Sequence, residues 1–222
     1  MQITEAMDAR EMQEDDILRR LGELKTRDEV ELTRHEDTEH LLRRMVRESP
    51  LRYDFAPLFS GPDEWRLHIR VRDESEPRSV MQYLGWDHDR LDDLLSRGLE
   101  LARTDRWEDA APLLQDFRSG LFRHIDIENE ILFKAFEEVT GIGSGGPTTV
   151  MRHEHVDIKE YVDGILQAAA DRNPDELERQ HANLLGVLVE HNMKEENILY
   201  PATDRALDPA SRTHLVEDLL LH

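Results

Sequence analysis

Cysteine is absent from the 222 residues, and this absence removes several classes of chemistry at once. The chain cannot form disulfides, thiolate metal sites, cysteine-ligated clusters or a thiol nucleophile. Any metal ion would have to be held by nitrogen and oxygen. Long apolar runs are missing as well, and no basic stretch followed by an apolar one opens the sequence, so we expect neither a membrane span nor a secretory signal. These features predict a cytoplasmic protein.

Lysine is also scarce: 4 of the 28 basic residues are lysines, against 49 acidic residues and a formal net charge of −21. This charge argues against nucleic acid as a partner, because phosphates require clustered Lys and Arg. Many carboxylates with few lysines are typical of salt-loving cells, where high ionic strength screens self-repulsion. We therefore predict an acidic, halophilic protein, and the alternative is an ordinary acidic cytosolic protein.

Residues 1–72 combine strand-like and helix-like patterns. Apolar and polar residues alternate at 30–33 and 65–71, whereas 15–24 have helical spacing. A turn signal at 60–63 separates the last strand from another candidate at 52–58. The order predicts a small β-α-β-α-β-β sandwich.

That order, with Met7-Asp-Ala-Arg10 before the first helix and Trp65-Arg-Leu-His-Ile-Arg70 at the end, resembles the SirA/TusA-like family of small α/β domains. Sulfur-carrying members open the first helix with Cys-Pro, where this chain has Met12-Gln-Glu-Asp-Asp16. Persulfide transfer is excluded without that thiol. The resemblance instead implies an interaction or regulatory module that contacts a protein partner. A His/Asp/Glu cluster at 35–40 is either a metal site or a helix start capped by Asp37.

Residues 73–79 are polar, charged and contain proline, which predicts a linker. From residue 80 the strand patterns disappear, and we predict that 80–222 form an up-down-up-down four-helix bundle with a short helix after Asp208. The chain is thus predicted to be an α+β protein of two domains. The four long helices are expected at residues 80–103, 107–138, 147–171 and 174–203.

One motif occurs twice in the predicted bundle. His124-Ile-Asp-Ile-Glu128 is repeated as His191-Asn-Met-Lys-Glu195, and His88 and His155 are separated by the same sequence offset as the two motifs. Residues four apart share one helix face. All six of these side chains lie in apolar stripes, where a bare carboxylate is costly. A single core histidine is more often hydrogen-bonded to a neighbour, but six matched residues indicate a metal site.

Imidazole and carboxylate ligands without thiolate suit iron, manganese or zinc. Six such side chains could hold two ions, with Glu128 and Glu195 bridging and two histidines on each ion. This arrangement leaves coordination positions open, which favours a reactive centre over a structural one.

The pattern, with Ile198-Leu-Tyr-Pro201 after the last motif, resembles the hemerythrin-like HHE cation-binding domains over about residues 78–205. Oxygen-carrying hemerythrins have a fifth histidine where this chain has Lys159. The set of four His and two Glu is similar to that of di-iron proteins that respond to nitric oxide and oxidative stress, including those linked to iron–sulfur cluster repair.

The resemblance implies two iron ions as cofactor, with manganese or zinc as alternatives, and O2 or NO as the small ligand. The implied role is stress sensing, scavenging or iron–sulfur cluster repair. The alternative is an iron-sensing or iron-storing module that signals through a partner protein. The pattern does not decide between an enzyme and a binding protein, and oligomeric state is not encoded in it. His153 and His181 are predicted not to be ligands.

Overall fold

A computed structural model describes residues 5–143 and 145–222, which form two compact units. One unit contains the described residues up to Ser79 together with Pro209–His222. The other is Val80–Asp208.

The first unit is built on a four-stranded sheet within the described residues, in the order β1-β2-β4-β3. β1 pairs parallel with β2, and the other neighbours are antiparallel. The chain order is β-α-β-α-β-β, as the sequence predicts. The elements are β1 (Glu5–Asp8), α1 (Glu14–Glu23), β2 (Glu29–Arg34), α2 (Glu39–Glu48), β3 (Tyr53–Ser60) and β4 (Trp65–Val71).

The structure differs from the predicted domain boundaries at both ends of the sheet unit. Arg78, in the segment predicted to be a linker, is 2% exposed and pairs with the buried Asp54. It also donates to the carbonyl oxygens of Pro50 and Tyr53. The polar composition of 73–79 resembles that of a linker because the partner of Arg78 lies 24 residues away in the sequence.

The last helix, α9 (Pro209–Leu221), belongs to the sheet unit and not to the bundle. It packs against α2 and β3, and Arg212 donates to the carbonyl oxygen of Arg78 at 2.8 Å. Its apolar side chains are buried there: Leu215, Val216, Leu219 and Leu220.

The second unit is the predicted helical bundle. α3 packs on α4, α6 packs on α7, and α4 contacts α6, as expected for two repeated hairpins. Two of the long helices contain a short π-helical segment, named π1 and π2. The elements are α3 (Val80–Arg103), α4 (Trp107–Ile127), π1 (Glu128–Leu132), α5 (Phe133–Thr140), α6 (Pro147–Ala170), α7 (Pro174–Lys194), π2 (Glu195–Leu199) and α8 (Tyr200–Ala206).

Local sequence signals explain the helix ends. α5 ends at Gly141, whose φ of 69° is left-handed and suits glycine. α7 begins with Pro174 after Asn173, whose side chain accepts from the backbone N–H of Glu176 at 3.1 Å. Asp204 accepts from the first N–H groups of α3 and so joins the start of that helix to α8.

Among the helices of residues 5–143 and 145–222, none is long and apolar enough to cross a membrane.

Candidate metal centre

The six predicted ligands meet inside the bundle. Each of the four histidines is at most 6% exposed, and both glutamates are completely buried. Their ligand atoms form two groups in which every pair of atoms lies within 4.8 Å, and Glu195 belongs to both. The first group contains Glu128, His155, His191 and Glu195, and the second contains His88, His124 and Glu195.

The Nε2 atoms of the four histidines face the two carboxylates. On one side, the Nε2 atom of His155 lies 3.2 Å from Glu128 Oε2, and that of His191 lies 2.9 Å from Glu195 Oε1. On the other side, the Nε2 atom of His88 lies 3.4 Å from Glu195 Oε2. Glu195 therefore presents one oxygen to each histidine pair, which is the arrangement of a bridging carboxylate.

The Nδ1 atoms point outward, and each contacts one oxygen. Because a carboxylate can only accept, the Nδ1 atoms that contact carboxylates must carry a proton, so Nε2 is the nitrogen that can offer a lone pair to a metal ion. Such outer partners fix the tautomer and raise the basicity of a metal-binding imidazole. The pairs are His88 with Glu196 at 2.8 Å, His124 with Asp87 at 2.9 Å, His155 with Asn129 at 3.0 Å and His191 with Glu154 at 2.9 Å.

The outer partners follow the same repeat as the six central residues. Asp87 and Glu154 occupy matching positions of the two repeats, and so do Asn129 and Glu196. None of the four was predicted from the sequence, although the constant offset between the repeats was the signal that could have found them. The duplication therefore extends to the residues that orient the histidines.

Asp87 is held as an anion by buried cations. Burial alone would raise the pKa of Asp87, but the charge of Arg90 and the hydrogen bond from His124 keep it far below its usual range. Arg90 donates to Asp87 at 2.8 Å and is 1% exposed. Gly120 permits this packing, because a Cβ there would lie 2.8 Å from the guanidinium of Arg90.

Glu154, the counterpart of Asp87, pairs with Lys194 as well as with His191. Although burial acts to raise the pKa of Glu154, the contacts with Lys194 and His191 lower it. Both outer carboxylates are thus ionised and fit to accept from an imidazole.

The centre binds protons when no metal is bound. Burial would lower the pKa of His88, but the negative charges of Glu195 and Glu196 outweigh that effect and raise it to about 10. The pKa of His191 is raised against burial in the same way by Glu195. A metal ion must therefore displace protons from these imidazoles.

We expect metal affinity to rise with pH for this reason. The pKa of His88 lies above neutrality, so each proton displaced makes binding about tenfold stronger per pH unit below that value. Calorimetric titration with Co(II) in two buffers of different ionisation enthalpy measures the number of protons released on metal binding. The His88→Ala variant should release fewer protons than the wild type. An affinity that does not change between about pH 6 and about pH 9 would contradict this prediction.

Both π-helical segments begin at a central glutamate. π1 starts at Glu128 and π2 starts at Glu195. The backbone N–H of Phe133 donates to the carbonyl of Glu128, and that of Tyr200 donates to the carbonyl of Glu195, five residues back in each case. Such segments are frequent at functional sites.

The π-helical turns add a pair of aromatic residues to the centre. In an α-helix, residue i+5 is rotated by about 140° from residue i around the helix axis. In a π-helical turn, residue i+5 lies on nearly the same face as residue i. Tyr200 is completely buried, and its hydroxyl donates to Glu128 Oε1 at 2.7 Å and contacts Glu195 Oε2 at 3.1 Å. Burial and the two carboxylates raise the pKa of Tyr200 well above 10. Phe133, at the matching position, stacks on His155.

Two observations show that this donor set fits a cation. Glu128 Oε2 and Glu195 Oε1 are buried, and although imidazole Nε2 atoms lie 3.2 and 2.9 Å away, neither oxygen accepts a well-aligned hydrogen bond from any residue that the structure describes. The Nε2 atoms of His155 and His191 lie 3.1 Å apart. Two lone pairs this close repel each other unless a proton or a metal ion lies between them. Unsatisfied oxygens and convergent nitrogens together are what a metal ion would compensate.

The two histidines predicted not to be ligands and the 35–40 cluster lie away from this centre. His153 is exposed on α6, and His181 is half-buried beside Glu178, which is on its own helix. In the 35–40 cluster, Asp37 accepts from the backbone N–H of Glu39 at 2.7 Å at the start of α2. Within the described residues, that cluster is not among the groups of three or more side chains that could hold a metal ion.

Comparison with known proteins gives two matches. The model of the family "Hemerythrin HHE cation binding domain" matches residues 82–203. The chain is also similar to the iron-sulfur cluster repair protein YtfE of Edwardsiella ictaluri, with 29% identity over 165 residues, which cover 68% of this chain and 75% of the relative. No solved structure matches the chain significantly. Because the family match spans more than half of the chain and includes all six central residues, the chain belongs to the hemerythrin HHE cation-binding family.

Proposed function

We propose that this chain is a non-haem di-iron protein that binds or responds to O2 or NO, and that it acts in iron–sulfur cluster repair under oxidative or nitrosative stress. The observation that carries the proposal is the arrangement of donors: two pairs of imidazole Nε2 atoms converge on two buried carboxylates, and Glu195 belongs to the ligand group of each pair. Glu195 is shared between the two groups, and Glu128, which groups with His155 and His191, has its Oε2 atom 3.8 Å from His124 Nε2, so we propose that both carboxylates bridge the ions. Such a nitrogen and oxygen set, without thiolate, suits iron.

Two iron ions at this centre would supply redox electrons and open coordination positions for a diatomic molecule. The chain's own residues would do the rest. The histidine Nε2 atoms and the two bridging carboxylates would bind the ions. The outer partners would hold the imidazole rings in place, and the buried walls of the bundle would keep bulk water from the centre.

Lys159 supports a centre with open positions. It stands where oxygen-carrying hemerythrins have a fifth histidine, and its ammonium group donates to Asp126 at 2.8 Å. Lys159 is half-buried and also lies over the ring of Phe122. Each histidine pair therefore has the same number of imidazoles, and neither position gains a third.

The similarity to the Edwardsiella ictaluri protein supports a role in iron–sulfur cluster repair. Its printed name describes an iron–sulfur cluster repair protein, and we extend that role to this chain. The alternative of an iron-storing or iron-sensing module has no comparable support.

The test begins with the full chain, loaded anaerobically with Fe(II). We expect about two irons per chain, since the site offers two positions, and a change in the absorption and EPR spectra on titration with NO or O2. The loaded protein should also restore activity to a hydratase whose [4Fe–4S] cluster has been damaged by NO. His155→Ala is the matched control and should restore less.

The outcomes separate the parts of the proposal. Protein that takes up no iron would overturn the di-iron assignment. Iron-loaded protein that is indifferent to both gases would overturn the ligand assignment. Loaded protein that restores no more activity than free Fe(II) would overturn the repair role.

A further inference from the structure

Tyr200 places a hydroxyl among the donor atoms of one histidine pair. Besides its contacts with Glu128 Oε1 and Glu195 Oε2, its oxygen lies 3.4 Å from His124 Nε2 and 3.5 Å from His88 Nε2. The oxygen is therefore 2.7 to 3.5 Å from four donor atoms at once. Two of the four are the Nε2 atoms of one histidine pair, and the other two are oxygens of the central carboxylates.

The other side has no such group. Phe133 occupies the matching position of the first repeat, and its ring stacks on His155 with 5.6 Å between centroids and 9° between planes. The oxygens on this side, Glu128 Oε2 and Glu195 Oε1, accept no hydrogen bond within the described part of the chain. Each side thus has two imidazoles and shares Glu195, but Glu128 groups with His155 and His191, and a hydroxyl lies only beside His88 and His124 among the described residues.

We propose that Tyr200 is a further ligand, through its phenol oxygen, of the ion held by His88 and His124. The inference rests on the di-iron centre proposed above. Adjacent donors around one ion with bonds of about 2.1 Å lie about 3 Å apart, and the oxygen of Tyr200 has that separation from each of its four neighbours. Tyrosine is an accepted iron ligand in proteins.

Binding of the phenol oxygen to iron would exchange an O–H bond for an oxygen–iron bond. On binding ferric iron, the phenol would lose its proton, which in the metal-free protein is donated towards Glu128 and Glu195 and would leave to solvent. The phenolate contributes one negative charge to the ion. Ligation itself would transfer no electron, and the ferric state would come from oxidation of two ferrous ions by O2, which with two protons from solvent would be reduced to hydrogen peroxide.

Ligation by Tyr200 makes the two ions inequivalent. With both glutamates bridging, as proposed above, the ion of His88 and His124 would have one more protein donor than the ion of His155 and His191. The open coordination is then concentrated at the second position, next to the apolar ring of Phe133. We assign the binding of the diatomic molecule to that ion.

Tyr200→Phe tests the ligand directly and introduces the residue that the other repeat has. The oxidised, iron-loaded wild type should show a visible phenolate-to-iron charge-transfer band and tyrosine modes in its resonance Raman spectrum. The variant should lose both signals while keeping two irons. An unchanged spectrum in the loaded variant would overturn the inference and leave Tyr200 as a hydrogen-bond donor to the carboxylates.

A measurement on the wild type covers the case in which the variant fails to fold or load. Protein grown with ring-deuterated tyrosine should show isotope shifts in the enhanced Raman modes. Their absence in iron-loaded protein would overturn the ligand assignment alone, whereas a lack of iron would overturn the di-iron proposal as well.

Phe133→Tyr tests where the open position lies. It adds a hydroxyl beside His155, so the loaded variant should lose NO binding while its iron content stays the same. NO binding equal to that of the wild type would contradict the assignment of the diatomic ligand to the second ion.

Discussion

Replacing Glu195 by glutamine is expected to remove both metal ions. Glu195 is completely buried and belongs to both groups of ligand atoms, with one oxygen towards His88 and the other towards His191. The amide keeps the shape of the side chain but loses the charge, and its nitrogen is not a donor for a cation. Iron content after anaerobic loading and desalting should fall from about two per chain to near zero.

His88→Ala is the control for that prediction. It removes a donor from one position and leaves His155, His191 and both glutamates in place, so about one iron should remain. Equal iron content in the two variants would contradict the bridging role of Glu195. Circular dichroism of the metal-free proteins should show that both variants keep their helices.

Replacing Arg90 by methionine is expected to destabilise the metal-free protein by about 3 kcal/mol, at the lower end of the roughly 3–5 kcal/mol for breaking a buried ion pair. Asp87 is completely buried and Arg90 is 1% exposed, so the substitution removes a cation from beside a buried anion. The cost is at the lower end because His124 still donates to Asp87. Chemical denaturation measures the loss.

Arg97→Met is the matched control on the same helix. Arg97 is exposed, and its pair with Asp93 at 3.2 Å should contribute less than about 1 kcal/mol. Arg90→Met should also weaken metal binding about 10- to 100-fold, because Asp87 orients His124. Equal stability of the two variants would show that the buried pair does not support the centre.

The fold and the six central residues could be predicted because periodicity and repetition carry that information. The strand and helix order of the first unit follows from alternating and helical apolar patterns. The constant offset between the repeats identified His88 and His155, which lie on different helices from the two His-x3-Glu motifs. Confinement to an apolar stripe then placed all six side chains inside the bundle, where the structure brings them together.

Tyr200 could not be predicted from helical periodicity. It lies five residues after Glu195, which an α-helix places on a different face, and only the π-helical segment π2 turns it towards the metal positions. The domain boundaries were missed for a different reason. Arg78 and α9 contact residues of the sheet unit that are far away in the sequence. Such contacts cannot be predicted from local sequence patterns.

Two features of the sequence analysis stay predictions. The resemblance of residues 1–72 to the SirA/TusA-like family rests on short motifs and on the strand and helix order. Halophilic character rests on the acidic, lysine-poor composition. Unfolding curves at low and at multimolar salt would separate a salt-adapted chain from an ordinary acidic one.

Anomalous diffraction at the iron absorption edge, from crystals of the iron-loaded protein, tests the central claim most directly. The account predicts two peaks about 3.5–4 Å apart, one beside His88 and His124 and the other beside His155 and His191, with Glu128 and Glu195 between them. A single peak, or peaks away from these six residues, would contradict it.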